Sequence, residues 1–183
     1  ASPPFTAFTA TPTAGLAPLT VQFTDTSTGS PTSWSWAFGD GGTSSEQNPQ
    51  HTYTAPGLYT VTLNATNEYG SDEEIRTDYI TVYAPVTAQF TADVTSGAAP
   101  LTVQFTDLST GGPTSWLWTF GDGNTSTAQN PQHTYSSAGT YTVTLTASHT
   151  YSNDTETKTS YISVVAIRPR ASATIPTLST DLK

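Results

Sequence analysis

Apolar residues alternate with polar residues along most of the chain, which is the pattern of β-strands with one buried face. Leu19, Val21 and Phe23 share one side of such a segment. The same alternation runs through residues 59–66 and returns at 80–82. Turns rich in Gly, Pro and Asp separate the segments. The pattern therefore predicts an all-β protein built as antiparallel β-sandwiches, not alternating strands and helices.

The chain contains an internal repeat with a period of 82 residues. Aligning residues 8–83 with 90–165 gives, by our count, 49 identities in 76 positions without an insertion. Both copies are therefore expected to share one fold, since repeated sequence specifies repeated structure. We predict two tandem β-sandwiches in residues 1–84 and 85–165, followed by an extended tail or linker in residues 166–183. A boundary this short predicts a stiff pair of domains.

Composition narrows the function classes. Charged residues make up only 10% of the chain, and threonine occupies 39 positions by our count, which favours strands over coiled coils or solvated helices. Fourteen acidic residues against five basic ones give a net charge of -9, which disfavours nucleic acid as a partner. The chain has no cysteine, so disulfides and thiol chemistry are excluded. No stretch approaches the roughly 20 apolar residues that span a membrane.

Three segments of each copy carry a family resemblance. In the first copy they read WSWAFGDG at 34–41, QNPQHTY at 47–53 and GLYTVTL at 57–63. Their order and composition resemble the polycystic kidney disease (PKD) domain family. The resemblance implies an immunoglobulin-like sandwich found outside cells, serving as a spacer, an adhesive or a contact module for protein and carbohydrate. Threonine-rich tandem copies of this kind also resemble archaeal surface-layer and envelope proteins. Ala37 and Thr119 stand where the family usually has Asp, which weakens any metal role there.

Six residues of each copy form a repeated motif that we interpret as structural. They are Trp34, Trp36, Phe38, Asp40, His51 and Tyr53, repeated as Trp116, Trp118, Phe120, Asp122, His133 and Tyr135. The Trp and Phe positions share one strand face, which favours a core, with one Trp per copy partly exposed near a strand end. A histidine repeated with its aromatic neighbours is interpreted as a packed imidazole bonded to a loop, not as a general base. His149, without an equivalent, is expected in a surface loop.

Other aromatic residues are candidates for exposed contacts. Tyr79, Tyr83 and Tyr161 fall out of phase with the buried positions, so they are expected to be exposed or to pack between domains.

Four aspartates are candidate calcium ligands. They are Asp25, Asp40, Asp107 and Asp122. Calcium needs six to eight oxygen ligands, and the loop spacing typical of such sites is missing. Turn formation is the favoured interpretation, since Asp-Gly suits a type I′ turn and an Asp side chain bonds its local backbone. We therefore expect no cofactor.

Three sites match the N-glycosylation acceptor pattern, at Asn64, Asn124 and Asn153. Asn64 falls on the outward phase of its strand, and the other two fall in expected loops. In a chain this rich in Ser and Thr, chance matches are also expected.

These observations lead to two hypotheses of function. The first is a non-catalytic extracellular module pair, a structural or adhesive segment of a cell-surface, envelope or filament protein. The alternative is an accessory spacer or substrate-binding region of a secreted hydrolase that degrades polysaccharide or collagen. Expected partners are other copies of the chain, other extracellular proteins or carbohydrate. Residues 166–183 carry a net charge of +2 against -11 elsewhere, which suggests head-to-tail self-assembly through this tail.

Overall fold

The computed structural model describes residues 2–167, and these residues form strands, turns and loops without a helix. The strands of the first copy are β1 (Phe8–Thr11), β2 (Ala14–Leu16), β3 (Leu19–Asp25), β4 (Ser33–Ala37), β5 (Thr43–Ser44), β6 (Gln50–Tyr53), β7 (Gly57–Asn67) and β8 (Gly70–Tyr83). Those of the second copy are β9 (Phe90–Ala92), β10 (Ser96–Ala98), β11 (Leu101–Asp107), β12 (Ser115–Thr119), β13 (Thr125–Ser126), β14 (Gln132–Tyr135), β15 (Gly139–His149) and β16 (Ser152–Val165).

Each copy pairs a three-stranded sheet with a five-stranded sheet. In the first copy the orders are β1-β3-β6 and β2-β8-β7-β4-β5, and in the second β9-β11-β14 and β10-β16-β15-β12-β13. All pairings are antiparallel except β2 with β8 and β10 with β16, which are parallel. The predicted all-β class and the two tandem β-sandwiches are confirmed. The domain boundary at residue 84 stays a prediction.

Each sandwich has its own core between its two sheets. Along β3, Leu19, Val21 and Phe23 point inward while Thr20 and Thr24 are exposed, as the period-two pattern predicts. Trp36 and Phe38 join Phe23 in a cluster of rings 5.0–6.3 Å apart. Aromatic rings are thus the largest buried side chains in the core of each domain.

A β-bulge in the closing strand reverses one sequence prediction. Pairing between β7 and β8 shifts register after Tyr59, and Asp78 adopts a φ of +50°. The bulge turns Tyr79 toward the core, where its hydroxyl accepts a hydrogen bond of 3.2 Å from the Ala10 amide. Tyr161 is placed in the same way by Ser160. The expectation that Tyr79 and Tyr161 are exposed is therefore wrong, because both tyrosines lie within the bulge, where two extra residues interrupt the alternation of faces.

Candidate functional site

An aspartate and a histidine meet beside the core of each domain. In the first, the His51 ring stacks on Phe38 at 4.2 Å between centroids, and its Nε2 lies 2.7 Å from Asp40 Oδ2. Tyr53 packs edge-on against the same histidine and donates its hydroxyl to the Phe38 carbonyl at 3.0 Å. His133 and Asp122 repeat the arrangement at 2.8 Å. These contacts fix the imidazole between a ring and a carboxylate.

The electrostatics of this pair follow from its contacts. Partial burial acts to raise the pKa of Asp40, but hydrogen bonds from His51 and the Gly42 amide outweigh it and hold the pKa below the ordinary value. Burial raises the pKa of the Tyr53 hydroxyl well above its usual range. The Tyr53 phenol therefore stays neutral, and the Asp40 carboxylate is ionised where it bonds the His51 imidazole at the edge of the core.

The turn that carries Asp40 differs from the expected type I′ turn. Positive φ angles occur at Gly39 (+88°) and Gly41 (+92°), while Asp40 between them has none. A Cβ on Gly39 would lie 2.5 Å from the Thr60 carbonyl oxygen, so only glycine fits there. Asp40 instead accepts a hydrogen bond of 2.9 Å from the Gly42 amide. The glycines therefore supply the backbone conformation, and the aspartate closes the turn with its side chain.

Asp25 is the acceptor for a second loop. Its carboxylate receives the Ser27 amide at 2.9 Å, the Trp34 indole N–H at 2.8 Å and the Gln47 amide at 3.1 Å. Partial burial acts to raise the pKa of Asp25, and these donors outweigh it and lower the pKa. Asp107 makes the same contacts in the second domain. The oxygens that calcium would need are engaged by N–H donors.

The candidate calcium ligands are not gathered into a metal site in the described part of the chain. Within residues 2–167, no group of three or more His, Cys, Asp or Glu side chains is placed to hold a metal ion. The side chain of Ala37 is exposed on the outer face of its sheet. Thr119 lies at the equivalent position and shares a hydrogen bond of 2.6 Å with Thr144.

The tryptophans divide between two environments. Trp36 is 1% exposed, and its indole N–H donates to the Glu46 carbonyl at 2.9 Å. Trp34 is half-buried and anchors the Asp25 loop. Trp118 and Trp116 repeat these two roles. The indoles therefore pack on or within the core and hydrogen-bond the adjacent loops through their N–H groups.

The three sequons lie at accessible positions. Asn64 is half-buried on the outer face of β7, and Asn124 is exposed in a loop. Asn153 is exposed too, but it lies within β16 and not in the expected loop.

An aromatic contact joins the two domains, and only part of it was foreseen. Tyr83, the last residue of β8, stacks on Tyr151 at 4.9 Å and lies 5.3 Å from the His149 ring. His149 Nε2 is 3.1 Å from the Ala84 carbonyl oxygen. Packing of Tyr83 between domains was one of the sequence interpretations, whereas His149 ends β15 and is not the free loop residue expected. Its lack of an equivalent in the first copy was the available signal.

Comparison with known proteins places these domains among relatives. A family model described as PKD domain matches residues 1–82 and 83–164. The collagenase ColA of Bacillus cereus is 49% identical over 45 residues, and the pre-pro-metalloprotease PrtV of Vibrio cholerae is 36% identical over 110 residues. These matches cover 25% and 58% of the chain, but only 5% and 11% of the two relatives.

A solved structure shares the architecture of the two domains. The amphioxus IgVJ-C2 molecule superposes with a TM-score of 0.53 over 81% of this chain and 99% of that one, at 14% identity. This likeness shows the fold alone, an immunoglobulin-like β-sandwich repeated twice. A solution structure from the archaeon Methanosarcina mazei is 45% identical over 42% of this chain and 52% of its own, with a TM-score of 0.35. No helix in residues 2–167 is long and apolar enough to cross a membrane.

Proposed function

The chain belongs to the PKD domain family, as two tandem copies, and from that premise we propose that it is a non-catalytic extracellular module pair. Its role is to hold and connect: it forms a structural or adhesive segment of a cell-surface, envelope or filament protein. Its contacts are with other protein chains or with carbohydrate. Domains of this family and of the immunoglobulin-like fold are typically non-catalytic.

The observation that carries this proposal is the structural engagement of the polar side chains in both copies. His51 is stacked on a ring and bonded to Asp40, and Asp25 accepts three N–H donors. A general base would need a positioned nucleophile and a place for substrate beside it. These groups instead make hydrogen bonds that hold the loops in place. The second domain repeats the same bonds, as expected of a duplicated structural unit.

The domain junction supports the connecting role. Tyr83 packs against Tyr151 and His149, so the short connection at Ala84 is reinforced by side-chain contacts. A reinforced junction transmits orientation from one domain to the next, which is what a spacer requires.

A second candidate is supported by the relatives. One is named a collagenase and another a metalloprotease, and the matched segments are small parts of both. The chain would then be an accessory region that holds a secreted hydrolase near its substrate. Residues 166–183, the tail that the first hypothesis assigns to head-to-tail self-assembly, lie outside the described residues except for Ala166 and Ile167.

The two candidates separate in a paired experiment on the full chain. We expect ordered polymers or lattices by electron microscopy, lost on deleting residues 166–183, and no retention on chitin, cellulose or collagen. Retention on one of those polymers without self-assembly would instead establish the accessory role. Sugar on Asn64, Asn124 or Asn153 is tested separately, by the intact mass of the protein from its natural source.

A further inference from the structure

A pocket of about 580 Å³ opens at one end of the first domain. The β7–β8 turn forms one wall with Glu68 and Tyr69, and the loop ahead of β4 forms the other with Ser30 and Thr32. The Tyr69 side chain is 52% exposed. We call this concavity the Tyr69 pocket. It has the form of a small-ligand site, with an aromatic face and a few polar groups around it.

In the second domain, the tyrosine equivalent to Tyr69 is covered by another aromatic ring. Tyr151 is the repeat equivalent of Tyr69, and the ring of Tyr83 covers it at 4.9 Å with an interplanar angle of 29°. The chain itself thus demonstrates that a planar ring stacks on this tyrosine.

The repeat supplies no equivalent of the Tyr83 ring to Tyr69 of the first domain. Subtracting the 82-residue period from Tyr83 gives Ala1, whose side chain is a methyl group and carries no ring. Among residues 2–167, no aromatic ring stacks on Tyr69. A ring that covers Tyr69 in the way Tyr83 covers Tyr151 would therefore come from outside residues 2–167.

The lining of the Tyr69 pocket is more polar than that of its equivalent. Ser30 stands where the second domain has Gly112, which adds a hydroxyl, and Glu68 stands where it has Thr150, which exchanges a hydroxyl for a carboxylate. Hydrogen bonding to Glu68 raises the pKa of the Tyr69 hydroxyl. Both added groups are exposed at the pocket rim and offer hydrogen bonds to an incoming ligand.

The floor of the pocket is held rigidly. Asn67 donates its side-chain amide to the Ser2 and Gly29 carbonyls at 3.0 and 2.8 Å, and accepts the Tyr69 amide at 2.8 Å. Asn67 therefore takes the place of His149 as the residue that fastens the turn. A ring on a fixed turn is already positioned to stack, which reduces the entropy lost on binding.

A ligand for this surface needs one apolar face and hydroxyls at its edge. A pyranose ring has both, so its hydroxyls can bond the carboxylate and the hydroxyl at the rim while its apolar face stacks on Tyr69, which a phenyl ring cannot do. The net charge of -9 disfavours acidic sugars. We propose that the Tyr69 pocket binds a neutral pyranose, stacked on Tyr69 and hydrogen-bonded by Glu68 and Ser30. This rests on the proposed adhesive function and assigns it a carbohydrate-contact site.

The test is an NMR titration of the full chain with methyl glycosides of mannose, glucose and galactose at millimolar concentration. We expect at least one glycoside to shift the amide signals of Ser30, Glu68 and Tyr69. Tyr69→Ala should weaken that binding about tenfold or more, and Glu68→Gln severalfold. Tyr69→Phe should retain stacking. Tyr151→Ala is the matched control and should bind the glycoside as the native chain does.

Three outcomes would overturn the proposal. They are the absence of shifts with every glycoside, equal binding by Tyr69→Ala, and shifts at these amides with N-acetyltyrosinamide but no glycoside. The last would identify an aromatic side chain as the partner. The result of the NMR titration does not decide the test of the proposed function, because millimolar binding is too weak to be retained in a polymer pull-down. The two proposals can therefore fail separately.

Discussion

Replacing Trp36 by alanine should destabilise the first domain severely and leave the second unchanged. The indole is 1% exposed, and a tryptophan of this kind buries about 150–250 Å², which at about 25 cal/mol per Å² corresponds to about 4–6 kcal/mol. The lost bond to the Glu46 carbonyl adds about 1 kcal/mol. Measured aromatic truncations cost about 3–5 kcal/mol because the cavity partly collapses, so we expect about 4 kcal/mol.

A loss of that size is decisive for a domain of about 80 residues, whose total stability is about 4–12 kcal/mol. Urea unfolding of the full chain, followed by NMR signals from each domain, should show the first transition moved to low urea and the second unmoved. Trp118→Ala should give the mirror image. Trp36→Phe, which keeps a ring but loses the indole donor, should cost about half as much. A loss below about 1 kcal/mol, or equal losses in both domains, would refute the assignment of Trp36 to an independent core.

Three further predictions follow from named contacts. Tyr83→Ala should widen the range of angles between the domains, seen in small-angle scattering and residual dipolar couplings, with each domain's melting temperature nearly unchanged; an unchanged scattering profile would count against it. The pKa of Asp40 is lowered in the folded state, so the ionised carboxylate stabilises the fold fully above about pH 4, and this contribution is lost as pH falls through the folded-state pKa. Asp40→Asn should therefore flatten the acid side of a plot of the free energy of unfolding against pH. Gly39→Ala should cost more than Gly41→Ala in thermal unfolding, since both glycines have positive φ but only the first Cβ meets a backbone atom, at 2.5 Å; equal costs would contradict the steric argument.

The strands and the two-domain plan were predictable because they depend on local alternation and on the repeat. Val21 and Phe23 are inward for the reason that the sequence suggests: every second residue shares a face. The burial of Trp36 follows from the same rule. These features need no knowledge of distant residues.

The features that escaped prediction depend on pairings between distant segments. Tyr79 faces the core because it lies in a bulge that forms where β8 pairs with β7, and no local pattern in the sequence predicts that bulge. The parallel pairing of β2 with β8 brings together segments 67 residues apart. The stacking of Tyr83 on Tyr151 required the geometry of the junction.

The parallel pairing at the ends of each domain has a mechanical consequence. β2 lies near the start of the first domain and β8 ends it, with Thr81 donating to the Thr13 carbonyl and Ala17 to the Tyr83 carbonyl, both at 2.9 Å. Tension applied through the chain pulls two parallel neighbours in opposite directions along their axes, so their hydrogen bonds are loaded in shear together and not opened one by one. β10 and β16 repeat this arrangement in the second domain. Two domains pulled in series would therefore resist extension at two similar pairs of strands that are loaded in shear. The Tyr83 carbonyl belongs to the pair in the first domain, and the Tyr83 ring packs against the second domain.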